Sequence, residues 1–184
     1  MTPKHHIVFL TGAGISQESG ISTFRDANGL WNNHKIEEVA SPEGFEKNPQ
    51  LVLDFYNARR RQLDEVNPNE AHHLIAQLET KYNVTIITQN IDDLHERAGS
   101  TNVLHLHGEL RKCRSSKNPN LIYTCTQDIK LGDLASDGNQ LRPHIVWFGE
   151  AVTEIEKAIA ITQSADLFII VGTSMVVHPA ASLL

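Results

Sequence analysis

Short apolar runs rich in β-branched residues alternate along this chain with longer segments of helical periodicity. The strand-like runs are Ile7–Leu10, Val84–Ile87, Val103–Leu106, His144–Phe148 and Leu167–Val171. Such alternation is typical of an α/β fold, in which helical crossovers connect parallel strands. We therefore predict that these runs form a parallel sheet.

Apolar residues at helical spacing predict helices over Gln50–Asp64 and Glu70–Lys81, each with a proline near its start. A third helix is predicted over Thr153–Gln163, where Thr153 and Glu156 have the spacing of a capping box. We expect these helices to cover the sheet.

Composition is that of an ordinary folded chain of 184 residues, with 40% hydrophobic residues and a net charge of −6. The acidic balance argues against nucleic acid or a membrane surface as a partner. The first residues lead directly into a strand, and no apolar run is long enough to span a bilayer. We therefore expect a cytoplasmic protein. Residues 111–142 lose periodicity and gain Ser, Asn, Lys, Asp and Gly, which predicts a small inserted subdomain.

A glycine-rich segment follows the first strand, with Gly12, Ala13, Gly14 and Ser16 at a strand-to-helix turn. Glycines there let backbone N–H groups approach a phosphate at a helix N-terminus. The alternative is a purely structural turn, because the third glycine of the usual dinucleotide-binding fingerprint is replaced by Gln17.

The next segment is long and polar, with apolar anchors at Phe24, Leu30 and Trp31. Such a loop could fold over a ligand, with Arg25 reaching a phosphate or carboxylate. The alternative is an ordinary surface loop that Trp31 holds in place.

Polar residues also follow the strand that ends near Ile87, among them Asn90 and Asp92. Open α/β sheets bind ligands at the carboxyl ends of their strands, so these side chains could hold sugar hydroxyls or a carboxamide. Alternatively, Asn90 is a helix N-cap, and Asp92 and Asp93 interact with the helix dipole.

His105 and His107 alternate along the end of the next strand. Either could bind a metal, but no evident ligand set accompanies them. A general base is the better interpretation of His107, because Gly108 leaves room for a substrate and imidazole titrates near neutral pH.

Taken in this order, these segments closely resemble the sirtuin family of NAD-dependent protein lysine deacylases. Two later segments extend the resemblance: Pro143–Glu150 resembles the strand that pairs with the substrate peptide, and Gly172–Ser174 resembles a second NAD-contacting turn. The resemblance implies a Rossmann-like parallel sheet with helices on both faces, and a sirtuin catalytic domain over residues 1–184. It also implies removal of acyl groups from protein lysines, with release of nicotinamide and O-acyl-ADP-ribose.

The resemblance also implies the site. It assigns catalysis to His107, Asn90 and Asp92, with His107 deprotonating a ribose hydroxyl. The residues implied to bind NAD are Gly12, Ala13, Gly14, Ser16, Thr23, Phe24, Arg25, Trp31, Gln89, Asn90, Ile91, Asp92, His107, Gly172, Thr173 and Ser174. Those implied to bind the acyl-lysine protein or peptide are Tyr56, Arg59, Val146, Trp147, Phe148, Gly149 and Glu150.

Tyr56 and Arg59 lie three residues apart and so share a helix face. This pair resembles the sirtuin subgroup that removes succinyl and malonyl groups, in which the arginine binds the acyl carboxylate. A guanidinium can bind a carboxylate through two parallel hydrogen bonds. The alternative is a solvated basic helix end, because Arg59, Arg60 and Arg61 point in different directions.

The chain departs from the family in two respects. Most sirtuins hold a structural zinc with two Cys-x-x-Cys pairs, whereas this chain has only Cys113 and Cys125, so we predict a subdomain without zinc. Sirtuins also continue beyond the segment that ends here at Leu184, which indicates either a fragment or a shortened relative. The rival functions are mono-ADP-ribosyl transfer, NAD hydrolysis and non-catalytic binding of NAD or ADP-ribose. The sequence leaves the oligomeric state open.

Overall fold

The computed structural model of the chain describes residues 4–22, 30–31 and 34–183, with the backbone alone at residues 30–31. Its described residues divide into two compact units. The first comprises residues 4–22, 66–107 and 152–183, and the second comprises the remaining described residues, 30–31, 34–65 and 108–151.

Strands and helices are numbered in chain order within the described residues. The strands are β1 His6–Thr11, β2 Leu30–Trp31, β3 His34–Lys35, β4 Asn83–Thr88, β5 Val103–His105, β6 Gly108–Ser115, β7 Ile122–Thr124, β8 Leu141–Ile145 and β9 Leu167–Val171. The α-helices are α1 Ile36–Val39, α2 Pro42–Lys47, α3 Pro49–Glu65, α4 Glu70–Leu78, α5 Leu94–Arg97 and α6 Ile155–Gln163. Two short 3-10 helices cover Ala13–Ser19 and Ala180–Leu183.

The first unit is built on a parallel sheet with strand order β5-β4-β1-β9. In β1, Val8 pairs with Thr85 of β4 on one side and with Phe168 of β9 on the other. All four carboxyl ends therefore meet at one edge, which is where open parallel sheets bind ligands.

Both faces of this sheet are buried. Ile7 and Phe9 of β1 pack into one core with Ile75 of α4, whereas Val8 and Leu10 pack into a second core with Ala158 of α6. A strand that is covered on both sides needs apolar residues at successive positions, which explains the continuous apolar run of β1. The predicted α/β fold, with helices on both faces of a parallel sheet, is confirmed.

The second unit contains an antiparallel sheet with strand order β7-β6-β8. Cys113 of β6 pairs with Tyr123 of β7 and Pro143 of β8. Helix α3 is fixed to this unit by Arg60, which is buried and donates from Nε to the carbonyl oxygen of Leu110 at 2.8 Å. The predicted insertion, residues 111–142, lies within this unit and remains a prediction as a separate subdomain.

Two expectations about individual elements are wrong. The run at His144–Phe148 does not join the parallel sheet, because the strand is Leu141–Ile145 and pairs antiparallel with β6. Pro143 lacks an N–H donor and suits such an edge strand, but apolar periodicity does not reveal strand direction. The capping box at Thr153 and Glu156 is also absent, because α6 begins after Glu154 and has no side-chain cap.

The helices predicted over Gln50–Asp64 and Glu70–Lys81 are confirmed as α3 and α4, the latter ending at Leu78. Asn69 caps α4 by accepting from the N–H of Ala71 at 3.0 Å, and its amide group donates to the carbonyl oxygen of Ile15 at 2.7 Å. The cap thus attaches α4 to the 3-10 helix that follows β1. Among the described residues, no helix is both long and apolar enough to cross a membrane.

Candidate active site

Most of the residues assigned to NAD lie in the first unit, in the turns that follow β1, β4, β5 and β9. These residues are Gly12, Ala13, Gly14, Ser16, Gln89, Asn90, Ile91, Asp92, His107, Gly172, Thr173 and Ser174. The parallel sheet therefore brings together segments that are far apart in sequence, because its strands run in the same direction.

The turns after β1 and β9 pack tightly against each other. The Gly14 N–H donates to the carbonyl oxygen of Gly172 at 2.8 Å, and the Gly12 N–H donates to that of Val171 at 3.1 Å. A Cβ atom at Gly172 would lie 2.3 Å from the backbone nitrogen of Ile15. These two N–H groups are bonded within the protein, so the glycines serve the close approach of the two turns.

Ser16 links the turn after β1 to both polar residues of the turn after β4. Its hydroxyl donates to Asp92 Oδ2 at 3.0 Å and accepts from Asn90 Nδ2 at 3.2 Å. Asn90 Nδ2 also lies 3.2 Å from the carbonyl oxygen of Gly12, and Asp92 Oδ1 accepts from the N–H of Leu94. Burial raises the pKa of Asp92, and the hydrogen bonds that Asp92 accepts from Leu94 and Ser16 oppose this rise. The interpretation of Asn90 as a helix N-cap is wrong, because α5 begins at Leu94.

His107 is held by a hydrogen bond at Nδ1, which leaves Nε2 able to accept a proton. Its Nδ1 lies 3.0 Å from the carbonyl oxygen of Gln89, which can only accept, so Nδ1 carries the hydrogen. In the neutral ring Nε2 then bears a lone pair. Burial lowers the pKa of His107, and the bond to Gln89 opposes this only in part, which favours the neutral ring at neutral pH.

In the second unit, the three consecutive arginines of α3 have three different environments. Arg59 is buried, and its guanidinium lies 4.5 Å from the centre of the Phe55 ring. Burial lowers the pKa of Arg59 to about 10. Arg60 belongs to the core, whereas Arg61 is exposed and pairs with Asp128.

Arg59 lines an open cavity of about 600 Å³ in the second unit. The described residues around the cavity are His34, Leu51, Asp54, Phe55, Ala58, Arg59, Gln62 and Glu65. Tyr56 is not among them, because its side chain is fully buried and its hydroxyl accepts from the Trp147 indole at 3.0 Å. The charges of Tyr56 and Arg59 influence each other, which agrees with the expectation that they share a helix face. Of this pair, only Arg59 is among the described residues that line the cavity, and the binding of an acyl group by both side chains stays a prediction.

The segment Val146–Glu150 follows β8 as a turn and is not a strand. Glu150 Oε2 accepts from the backbone N–H of Trp147 at 2.9 Å, and Glu150 also pairs with the guanidinium groups of Arg142 and Arg114. Arg142 stacks on the Trp147 ring at 3.2 Å. Trp147 is 2% exposed and Phe148 is 49% exposed, so Trp147 supports the segment and Phe148 is its accessible apolar side chain.

For four of the residues assigned to NAD, the structure gives no side-chain position. Thr23, Phe24 and Arg25 lie outside the described residues, and Trp31 is described only by its backbone in β2.

The comparison with known protein families decides the identity of the chain. The model of the Sir2 family matches residues 12–179. The chain belongs to the Sir2 family. Its Sir2-family relatives include an NAD-dependent protein deacylase of Helicobacter pylori, 65% identical over 97% of this chain and 78% of the relative. A second, from Bacteroides thetaiotaomicron, has the same name and is 58% identical over 97% of this chain and 79% of the relative.

Solved Sir2 structures share the fold of this Sir2-family chain. An ADP-ribose complex of a Sir2 homologue mutant is 44% identical with a TM-score of 0.89, covering 98% of this chain and 74% of that one. An NAD complex of a Sir2 homologue has a TM-score of 0.87 at 44% identity, covering 98% and 72% of the two chains. These likenesses confirm the Rossmann-like fold that the sequence resemblance implied.

The two cysteines of this Sir2-family chain lie next to each other in the second unit. Cys113 is buried, and the hydrogen bond from its thiol to the Cys125 sulfur raises the pKa of Cys113 and lowers that of Cys125. Within the described part of the chain, no group of three or more His, Cys, Asp or Glu residues is arranged to hold a metal ion.

Sequence reasoning missed a polar layer behind the Sir2 site. Thr11 Oγ1 donates to Thr88 Oγ1 at 2.8 Å and lies 3.0 Å from Nε2 of the buried His95. Thr88 Oγ1 in turn accepts from the Asn90 N–H. His105, which the sequence offered only as a possible metal ligand, contacts the carbonyl oxygen of Asn90. Strand-end threonines carry no sequence signal that separates them from ordinary β-branched residues.

Proposed function

We propose that this Sir2-family chain is an NAD-dependent protein lysine deacylase that removes succinyl and malonyl groups as well as acetyl groups. The observation that carries this proposal is the arrangement at the carboxyl edge of the first unit. There, Ser16 joins Asn90 to Asp92, and the neighbouring His107 is held with Nε2 unprotonated.

The residues of this edge fit the chemistry of NAD. Asn90 and Asp92 are buried polar groups at the end of a strand, as a ribose or carboxamide requires. The paired glycine turns bring backbone close to that point without side chains between them. When bound, NAD would supply the ribose carbon from which nicotinamide leaves and the ribose hydroxyl to which the acyl group is transferred.

Each protein group then has a role that follows from its contacts. We assign to Asn90 and Asp92 the orientation of the ribose and nicotinamide, with Ser16 fixing both side chains. Gln89, whose amide donates to Thr173 Oγ1 at 3.0 Å, is assigned to the ribose. His107 accepts the ribose hydroxyl proton at Nε2, for which a neutral ring is required. The roles of Thr23, Phe24, Arg25 and Trp31 are proposed on sequence resemblance.

Arg59 supports the acidic-acyl part of the proposal. Its buried guanidinium lines a cavity and can hold a carboxylate through charge-assisted hydrogen bonds. The cavity also contains Asp54 and Glu65, which disfavour a carboxylate, so Arg59 has to outweigh them. Acyl-lysine proteins or peptides are the proposed partners. The proposed location is the cytoplasm, where NAD and acylated proteins occur together.

Mass spectrometry of matched succinyl-lysine and acetyl-lysine peptides, incubated with the chain and NAD, tests the proposal. We expect unmodified lysine peptide together with O-acyl-ADP-ribose, and neither product when NAD is left out. Nicotinamide release without an acyl peptide would indicate NAD hydrolysis instead. A peptide that gains ADP-ribose would indicate transfer, and binding of NAD without any product would indicate a binding module.

A further inference from the structure

His105 stands at the end of β5 with both ring nitrogens facing oxygen atoms. Nδ1 lies 2.8 Å from the backbone carbonyl oxygen of Asn90, and Nε2 lies 2.8 Å from Glu96 Oε1. The side chain of His105 is 7% exposed, whereas that of Glu96 is 40% exposed. A carbonyl oxygen and an ionised carboxylate can only accept hydrogen bonds, so both nitrogens of His105 must donate. The geometry therefore describes an imidazolium ion.

We propose that His105 is a positioning residue for the candidate NAD site: its imidazolium, paired with Glu96, holds the backbone of Asn90 in place. The inference rests on the proposed function, in which Asn90 and Asp92 orient the ribose and nicotinamide of NAD. The Asn90 side chain is fixed by Ser16 and Gly12, and its N–H by Thr88. The hydrogen bond from His105 fixes the remaining polar group, the carbonyl oxygen.

The comparison with His107 shows why the two histidines have different charges. Both donate from Nδ1 to consecutive carbonyl groups, His107 to Gln89 and His105 to Asn90. The second nitrogens differ. Among contacts between described residues, Nε2 of His105 lies next to the carboxylate of Glu96, and Nε2 of His107 has no such carboxylate. An opposite charge at this distance favours the charged ring, whereas burial without one favours the neutral ring.

The charged groups around His105 agree with this assignment. The bond to His105 lowers the pKa of Glu96 although burial opposes it, and His105 favours the ionised form of Asp92. His95 is the other titratable neighbour. Burial lowers its pKa to about 3, so it stays neutral and adds no competing positive charge.

This arrangement predicts the pH dependence of activity on both sides. As pH falls, His107 becomes protonated and can no longer accept a proton. As pH rises, His105 loses its proton, and the pair with Glu96 is lost. Replacing Glu96 by Gln removes the carboxylate that favours the imidazolium, so the alkaline fall of activity moves to lower pH. If Glu96 had a purely structural role, Glu96→Gln would lower activity by the same factor at every pH.

The test compares Glu96→Gln, His105→Leu and His105→Gln in the full chain, with Glu79→Gln as the matched control. Glu79 also accepts hydrogen bonds through its carboxylate, but it does so from Thr101, which the proposal gives no role in NAD binding. His105→Leu removes a charge-assisted hydrogen bond and should lower kcat/KM for NAD roughly 10- to 100-fold, with KM for the acyl peptide unchanged. His105→Gln keeps an amide donor and should recover part of that loss.

Two readouts do not depend on turnover. Nitrogen NMR of the chain without NAD should show both His105 ring nitrogens protonated at neutral pH, with proton loss at lower pH in Glu96→Gln. Calorimetry should show weaker NAD binding in His105→Leu than in Glu79→Gln. The inference is overturned if His105 is neutral in the wild-type chain. It is also overturned if the loss of activity in the variants equals the loss of folded protein that circular dichroism measures. A wild-type chain that binds NAD without deacylating contradicts the proposed function alone, whereas one that does not bind NAD overturns both.

Discussion

The N–H of Gly14 donates a 2.8 Å hydrogen bond to the carbonyl oxygen of Gly172, and so joins the turn after β1 to the turn after β9. These residues are far apart in sequence, yet a Cβ atom at Gly14 would lie only 2.8 Å from that oxygen. Neither glycine can therefore be replaced without separating the two turns.

Gly172→Ala should lower both stability and NAD affinity. Gly172 has a φ of 66°, and its Cβ would lie 2.3 Å from the Ile15 nitrogen. We expect the free energy of unfolding to fall by about 2–4 kcal/mol, measured by urea denaturation. The control is Gly99→Ala, at a φ of 106° with no atom within 4 Å of the new Cβ, where only backbone strain of about 1 kcal/mol should appear. Equal losses in the two variants would contradict the packing argument.

His107→Tyr should slow deacylation by several orders of magnitude and leave NAD binding largely intact. The imidazole supplies the proton acceptor at Nε2, and general base catalysis contributes roughly 100- to 10,000-fold to a rate. We expect kcat to fall by a factor in that range, measured with an acyl peptide, while calorimetry finds nearly unchanged NAD affinity. Unchanged turnover would remove His107 from the mechanism.

Arg59→Met should slow removal of a succinyl group roughly 10- to 100-fold and have a much smaller effect on removal of an acetyl group. The reason is that a charge-assisted hydrogen bond to the acyl carboxylate is lost, and the acetyl group has no carboxylate. Arg61→Met is the matched control, because Arg61 lies on the same helix as Arg59 but is exposed and pairs with Asp128. The measurement is kcat/KM for the two peptides. Equal slowing of both would contradict a role of Arg59 in acyl selectivity.

The stability of the chain should fall as the pH is lowered from 6.5 toward 4. Burial lowers the pKa of His72 to about 4 and that of His95 to about 3 in the folded chain, against 6.5 in the unfolded chain. The unfolded state then binds more protons in this range, so each histidine costs up to about 1.4 kcal/mol per pH unit. Urea denaturation at several pH values should show a smaller slope in His95→Asn.

The exposed neighbour of His72 provides the control for this pH dependence. His73→Asn should change the slope much less than His95→Asn, because the His73 side chain is exposed and affects the slope only through its smaller contribution to the lowered pKa of His72. A slope that is the same in His95→Asn and His73→Asn would show that burial of His95 does not contribute.

Local patterns in the sequence determined much of the fold. Apolar runs located β1, β4, β5 and β9, and helical spacing located α3 and α4, because these patterns arise from which side chains are buried. Local patterns did not predict strand direction. The run at His144–Phe148 has the same apolar character as the parallel strands, yet its strand pairs antiparallel with β6. Pairing depends on the partner strand, which a local pattern does not contain.

The same division holds for the candidate site. The sequence by itself determined the residue types and their order: the glycine turn, Asn90, Asp92, His107 and the Tyr56–Arg59 pair. The tertiary structure decided what each of them contacts. It placed Tyr56 against Trp147 and Arg59 at a cavity, and it gave His105 a carboxylate partner that His107 lacks among its described contacts. The charge of a histidine depends on the groups that folding brings to its two nitrogens, and those groups come from other elements of the chain.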